Sequence, residues 1–210
     1  MEEIEPIYIY ADLETEALQA VKLLQIAAIT ESGEQFSIYI NPFGNLPANC
    51  KKITGLYFHQ NNLCKDGILL PSVPIKEGLT KFKEWLASLG KPVCLVCHNG
   101  FAFDIRVLLR HYKQQDIEFP QNLISVSDTL PAFRKYMKNS IADCKLGTLA
   151  KHINIPLVEA HNAIDDAICL KEICEKYTTS EGLPLAKFLS AYQKPISFFQ
   201  KQLENPRRRK

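Results

Sequence analysis

Between Pro92 and His98-Asn99-Gly100 runs Val93-Cys94-Leu95-Val96-Cys97, five apolar residues with no polar interruption. A strand of this kind has no face to give to water, so it needs cover on both sides, as in α/β folds. The flanking patterns agree. Ile75, Leu79, Phe82, Leu86 and Leu89 recur at helical spacing just before it, with Gly90 as a stop and Pro92 beyond. A second helix is expected at about Phe103–Tyr112, then a short strand at Leu123–Ser127. Upstream, Ile7–Tyr10 and Leu23–Ile29 are rich in Ile, Leu and Tyr, and Phe36, Ile38 and Ile40 alternate with Ser37 and Tyr39. These predict three successive strands, the last two joined as a hairpin across Glu31-Ser32-Gly33-Glu34, so the sheet starts antiparallel.

A short helix is expected near Ala48–Thr54, followed by an irregular stretch to about Pro74. The last third reads as helical: Leu146, Leu149, Ala150 and Ile153 share a face, and a longer helix over about Asn162–Tyr177 turns Ile164, Ala167 and Ile168 inward. Together these predict an α/β domain over residues 1–180, a mixed sheet flanked by helices, with 181–210 as a helical extension and basic tail.

Charge narrows the partners. Four basic residues close the chain, Arg207-Arg208-Arg209-Lys210, and the other 206 residues hold 21 basic and 23 acidic side chains, a balance of −2. A protein that grips long duplex through phosphate contacts shows a far larger basic face, so any nucleic-acid contact here is expected to be short or metal-assisted. No apolar run approaches the ~18–20 residues of a membrane helix, and the acidic start Met1-Glu2-Glu3 is the opposite of a secretory n-region. With seven cysteines read as reduced thiols, an intracellular protein, cytoplasmic or nuclear, with no membrane association is expected. The chain has no P-loop, no Gly-x-Ser-x-Gly elbow and no Gly-x-Gly-x-x-Gly, which leaves nucleotide-cofactor and serine-hydrolase classes without support.

The chemistry gathers at element ends. The first strand runs into Asp12-Leu13-Glu14-Thr15, whose two carboxylates share one face of an extended segment. The buried strand ends at His98-Asn99, with Asp104 in the first turn of the next helix, and His161-Asn162-Ala163-Ile164-Asp165-Asp166 opens the last long helix. A carboxylate in a first helical turn can simply complement the dipole. Three such ends on one α/β sheet exceed what capping requires. Gathering four carboxylates costs several kcal/mol unless cations compensate, and oxygen-only ligands suit Mg²⁺, with Mn²⁺ as a substitute. Two such ions ~3.5–4 Å apart can clamp a phosphodiester. His161, in the loop entering its helix, can act as general base toward water.

These segments resemble the three motifs of the DEDDh family of 3′→5′ exonucleases: Asp12-x-Glu14, then His98-Asn99-(x)3-Phe103-Asp104, then His161-(x)4-Asp166. Leu24 to Ile29, Asn41-Pro42, Ile53-Thr54-Gly55-Leu56, Ser127-Asp128-Thr129-Leu130 and Lys145 to Ala150 look similar as well, over about residues 5–177. The spacing in the second motif and His161-Asn162-Ala163-x-x-Asp166 look like the three-prime repair exonuclease (TREX) branch and the exonuclease-like domain of long PML isoforms. The resemblance implies a ribonuclease-H-like fold and release of nucleoside 5′-monophosphates from single-stranded or frayed 3′ ends, DNA favoured over RNA. It implies Asp12, Glu14, Asp104 and Asp166 as ligands of two ions and His161 as base. Leu13, Thr15, Ala17 and Leu18 would hold the terminal nucleotide, and His98, Asn99 and Phe103 would line the strand's path. His98 alternatively just ends its strand. A homodimer is a further implication. Two departures stand out: Glu16 and Ala17 occupy the positions where the family commonly has Thr-Gly. Glu16 would repel an approaching phosphate, and Ala17 resists positive φ. They keep a rival reading open, a weak or inactive module of this fold that binds nucleic acid or a protein partner.

Overall fold

The computed structural model describes residues 5–17, 22–138, 140–156 and 161–204. Strands β1 (Ile7–Thr15), β2 (Leu23–Thr30) and β3 (Gln35–Asn41) form an antiparallel meander. Helix α1 (Ala48–Thr54) follows, then a separate small antiparallel sheet of β4 (Leu56–His59), β5 (Asn62–Lys65) and β6 (Ile68–Leu69). Strand β7 (Ser72–Pro74) returns parallel to β3. Next come α2 (Ile75–Ser88), β8 (Val93–Cys97), α3 (Asp104–Gln114), β9 (Leu123–Asp128) and α4 (Thr129–Tyr136). The chain continues with α5 (Leu146–Ile153), α6 (Ala163–Ser180), α7 (Leu185–Ser190), β10 (Gln193–Pro195) and α8 (Ile196–Glu204).

The main sheet has the order β10-β9-β8-β1-β2-β3-β7, with β1, β8 and β9 parallel at its centre. Helices cover both faces, the expected mixed α/β architecture. Every residue of β8 is buried, as its unbroken apolar run demands. Side chains of β1 alternate between two cores: Ile9, Ala11 and Leu13 pack with α2, α3 and α8, while Tyr10 packs with α4, α5, α6 and α7. Asp12 and Glu14 continue the Tyr10 face toward α6.

Several elements differ from the sequence expectation. The stretch before Pro74 holds the small sheet, whose strands of two to four residues are too short to show periodicity. Its turns, Gln60-Asn61 (φ 50° and 64°) and Asp66-Gly67 (φ 50° and 85°), pair left-handed residues as a tight hairpin requires. In α6 the inward stripe is Ala163, Ala167, Leu170 and Cys174, and Ile164 and Ile168 are only partly buried. Small residues let this helix lie close on β1 and β2, which a rule ranking positions by hydrophobicity misses. Beyond residue 180 the expected helical extension is two helices with an edge strand between them. Phe188 and Phe199 enter opposite cores, so Phe→Ala at either costs about 3–5 kcal/mol. Among the described residues no helix is long and apolar enough to cross a membrane; the basic tail 207–210 lies outside them.

Candidate active site

Asp12 and Glu14 stand two apart on β1, so alternation turns both carboxylates to the α6 side, opposite Ala27 and Gln25 of β2. A register shift between Glu14 and Thr15 ends regular pairing there. Asp166, in the first turn of α6, completes a set in which one carboxylate oxygen from each of Asp12, Glu14 and Asp166 lies within 4.8 Å of the others. Gln25 holds this geometry. Buried beside Glu14, its amide oxygen accepts from the Ala163 N–H at 3.1 Å and its amide nitrogen donates to Asn162 Oδ1 at 3.0 Å, so the start of α6 is tied to the sheet across 137 residues. Sequence reasoning missed it; the only signal was a polar residue inside an otherwise apolar strand.

Asp104 arrives from the opposite layer, at the start of α3 just beyond β8. Its carboxyl is 3% exposed and Oδ1 has no hydrogen-bond partner among the described residues. The loop that aims it is pinned by Asp128 at the end of β9. Asp128 Oδ1 accepts from Asn99 N–H (2.9 Å) and Leu130 N–H (3.0 Å), and Oδ2 from Phe101 N–H (3.0 Å). His98 is likewise held within the fold: Nε2 donates to the Cys144 carbonyl at 2.7 Å, and Nδ1 lies 2.9 Å from Thr129 Oγ1. Burial lowers its pKa, which favours this neutral tautomer. The ring thus anchors the loop before α5 to the end of β8. No ring nitrogen is left over for the substrate contact expected of His98.

Crowding shows in the acid constants. Burial first, then the charges of Asp104, Glu14 and Asp166, hold Asp12 well above the ordinary carboxylate range. Burial and then Asp166 push Glu14 up to about 7, with Lys65 opposing. Asp104 also rises to about 7 through burial, and Asp166 is raised by burial against the opposing His161 N–H. Buried acids that repel one another, one with an orphaned oxygen, fit divalent cations bound by oxygen. Asp12, Glu14, Asp104 and Asp166 are the residues that could hold them.

His161 borders the cluster. Its backbone N–H donates to Asp166 Oδ2 at 3.1 Å, its φ is 67°, and its exposed side chain lines a cleft of about 520 Å³ with Leu13, Thr15, Ala17 and Ile53. A φ in this region is uncommon for a non-glycine residue, and here Asp166 itself helps hold the turn.

Residues 9–174 match the family model for exonucleases of the RNase T type. The chain belongs to the exonuclease family. The exonuclease DPD1 of Arabidopsis thaliana, chloroplastic/mitochondrial, is 31% identical over 192 residues, 85% of this chain and 58% of that one. The PolC-type DNA polymerase III of Bacillus cereus is 28% identical over 186 residues, 82% of this chain and 12% of that one. The chain therefore spans less than two thirds of these relatives. Exonuclease I of E. coli in complex with a dA16 oligonucleotide superposes with a TM-score of 0.68 at 17% identity, covering 85% of this chain and 42% of that one. That likeness is one of fold, the ribonuclease-H-like arrangement.

Seen on this exonuclease fold, the two departures look milder than the sequence suggests. Glu16 accepts from the Lys22 N–H at 3.3 Å and pairs with Lys22 Nζ at 3.7 Å, so its charge is partly answered within the loop. Ala17 has no positive φ, and its carbonyl accepts from Thr15 Oγ1 at 3.2 Å. Leu13 and Thr15 are buried along the cleft wall. Asn99 is exposed with φ 69°, and Phe103, partly buried, precedes Asp104. Leu18 lies outside the described residues.

Proposed function

We propose that this protein is a metal-dependent 3′→5′ exonuclease of TREX-like type that removes nucleotides singly from the 3′ end of DNA, in preference to RNA, as nucleoside 5′-monophosphates. The observation that carries this reading is the convergence of Asp12, Glu14 and Asp166 at the end of β1, with a buried Asp104 whose Oδ1 has no partner among the described residues and whose charge raises Asp12. A carboxyl that merely served the fold would have found donors.

In this reading Asp12, Glu14, Asp104 and Asp166 hold two Mg²⁺ ions, or Mn²⁺ in their place. Bound there, the cations supply Lewis-acid stabilisation of charge building on the phosphate and ease deprotonation of the attacking water. His161, at the mouth of the cleft, accepts that water's proton. The phosphorus–O3′ bond breaks, the penultimate nucleotide keeps the O3′ and a new 3′-hydroxyl, and the released nucleotide carries the 5′-phosphate. Leu13, Thr15 and Ala17 pack against the terminal nucleotide, while Asn99 and Phe103 flank the incoming strand. The oligonucleotides held by the E. coli neighbours make DNA the first substrate to offer. We further propose residues 1–180 as the exonuclease unit, 181–210 as an extension that contributes the edge strand β10 to the main sheet, and a homodimer as the assembly, checked by light scattering.

The test is hydrolysis of 5′-labelled single-stranded DNA and matching RNA in Mg²⁺, Mn²⁺ or EDTA, beside His161→Ala. A metal-dependent ladder shrinking from the 3′ end, absent in the variant, is expected. No shortening of either polymer by a folded protein that binds Mn²⁺ would overturn the enzyme and favour the binding module.

A further inference from the structure

A second groove of about 410 Å³ leaves the cleft at α1 and shares Ile53 and Thr54 with it. Lys51 and Lys52, exposed in the last turn of α1, and Lys65 at the end of β5 line it, with Asp66 the acidic group among them. The groove exists because of a close approach. Helix α1 stops at Gly55, φ 73°, and β5 crosses there so tightly that a Cβ on Gly55 would lie 3.3 Å from both Lys65 Cγ and Asp66 Oδ1. The bare α-carbon lets the stem of Lys65 pass against the end of α1 and line the groove beside Lys51 and Lys52. Lys51 is steadied by the Tyr57 ring, 4.1 Å from its Nζ.

Lysines in a last helical turn complement the dipole. That accounts for Lys51 and Lys52 but not for Lys65, which comes from a different element to the same groove. Three cations converging beside the cleft, in a chain whose balance is −2 without its last four residues, form a local track for anions.

We propose that this groove carries the phosphodiester backbone of the polynucleotide 5′ of its terminal nucleotide, with Lys51, Lys52 and Lys65 facing successive phosphates. The small sheet is then the element that extends the site from one nucleotide to a strand. This rests on the exonuclease reading and adds to it the direction in which the substrate leaves the cleft.

The experiment compares wild type with Lys51→Ala/Lys52→Ala on two kinds of substrate: a p-nitrophenyl ester of thymidine 5′-phosphate, which reaches only the terminal site, and single-stranded DNA of 2, 4, 8 and 16 nucleotides. The gain in kcat/KM from ester to 16-mer is expected to fall about tenfold in the variant, chiefly through KM. Two lost phosphate contacts should also flatten the slope of log(kcat/KM) against log[salt] by about 1.4, at ~0.7 per contact for single strands. An unchanged length gain and salt slope would overturn the groove. A Lys51→Gln/Lys52→Gln variant with wild-type melting behaviour and the same kinetic loss excludes damage to α1 as the cause. Should wild type hydrolyse neither substrate, the enzymatic reading fails by itself. Fluorescence anisotropy of a labelled 16-mer in EDTA then judges the groove alone: weaker binding by the variant sustains it, and equal binding removes it.

Discussion

Asp104 and Asp128 stand near the ends of adjacent parallel strands, each 3% exposed, in opposite surroundings. Asp128 accepts three backbone N–H bonds and holds the loop from Asn99 to Phe101 and the start of α4. Asp104 has an oxygen with no donor among the described residues, and its charge raises Asp12. Burial alone therefore does not tell a structural acid from a functional one. Satisfaction does: a carboxylate surrounded by donors lowers the energy of its own fold, while one left unpartnered among like charges raises it until a cation arrives.

The sharpest way to break this contrast is to remove each charge. Asp104→Asn should lower kcat by about 10⁴-fold, since several kcal/mol of charge stabilisation are at stake at tenfold per 1.36 kcal/mol. It should leave the Tm of metal-free protein unchanged or raised, by relieving repulsion. Asp128→Asn should instead lower Tm by about 5 °C, because an amide offers a donor where an N–H needs an acceptor, at ~1–3 kcal/mol. Equal Tm losses in both variants, followed by thermal melting in EDTA, would erase the distinction.

His161→Ala should cut kcat by about 10³-fold with Tm unchanged, as expected of an exposed general base. Full activity at saturating Mg²⁺ would take the proton-transfer role away from it. Gln25→Leu tests whether the acidic set depends on its tether to α6. Weakening of Mn²⁺ binding by about tenfold, read by calorimetry, is expected for loss of a supporting hydrogen bond, and unaltered affinity would show that α6 packing alone suffices.

The smallest effect concerns pH. Glu14 and Asp104 have folded-state values of about 7, above those of the unfolded chain, so the native protein binds more protons between the ordinary carboxylate range and about 7. Stability of the metal-free protein should therefore be greatest at the acidic end of that window and decline by several degrees of Tm as pH rises through 7. Adding Mg²⁺ should restore it at the alkaline end. A metal-free Tm that climbs over the same range would contradict the crowding of these acids.

Much of the site was legible because it sits where strands and helices stop, and those stops are written locally. The alternation of Asp12 and Glu14, the buried run of β8 and the first-turn positions of Asp104 and Asp166 all follow from short-range pattern. His98 shows the limit of that reading. Its place at a strand end suits substrate contact as well as anchorage, and only the Cys144 carbonyl, 46 residues away, decides for anchorage. The small sheet was hidden for a different reason: Asp66-Gly67 is a legible turn signal, but strands this short gain meaning only when paired.

The sequence by itself determined the α/β class, the order of the elements and which carboxylates stand at their ends, because period, capping and turn chemistry act over a few residues. Tertiary structure alone decided that Asp104 Oδ1 has no donor among the described residues while Asp128 takes three, that Gln25 ties α6 to the sheet, and that Lys65 passes close to Gly55. Hydrogen bonding and Coulomb forces depend on distances between groups that the chain brings together from far apart, and no local pattern encodes those distances.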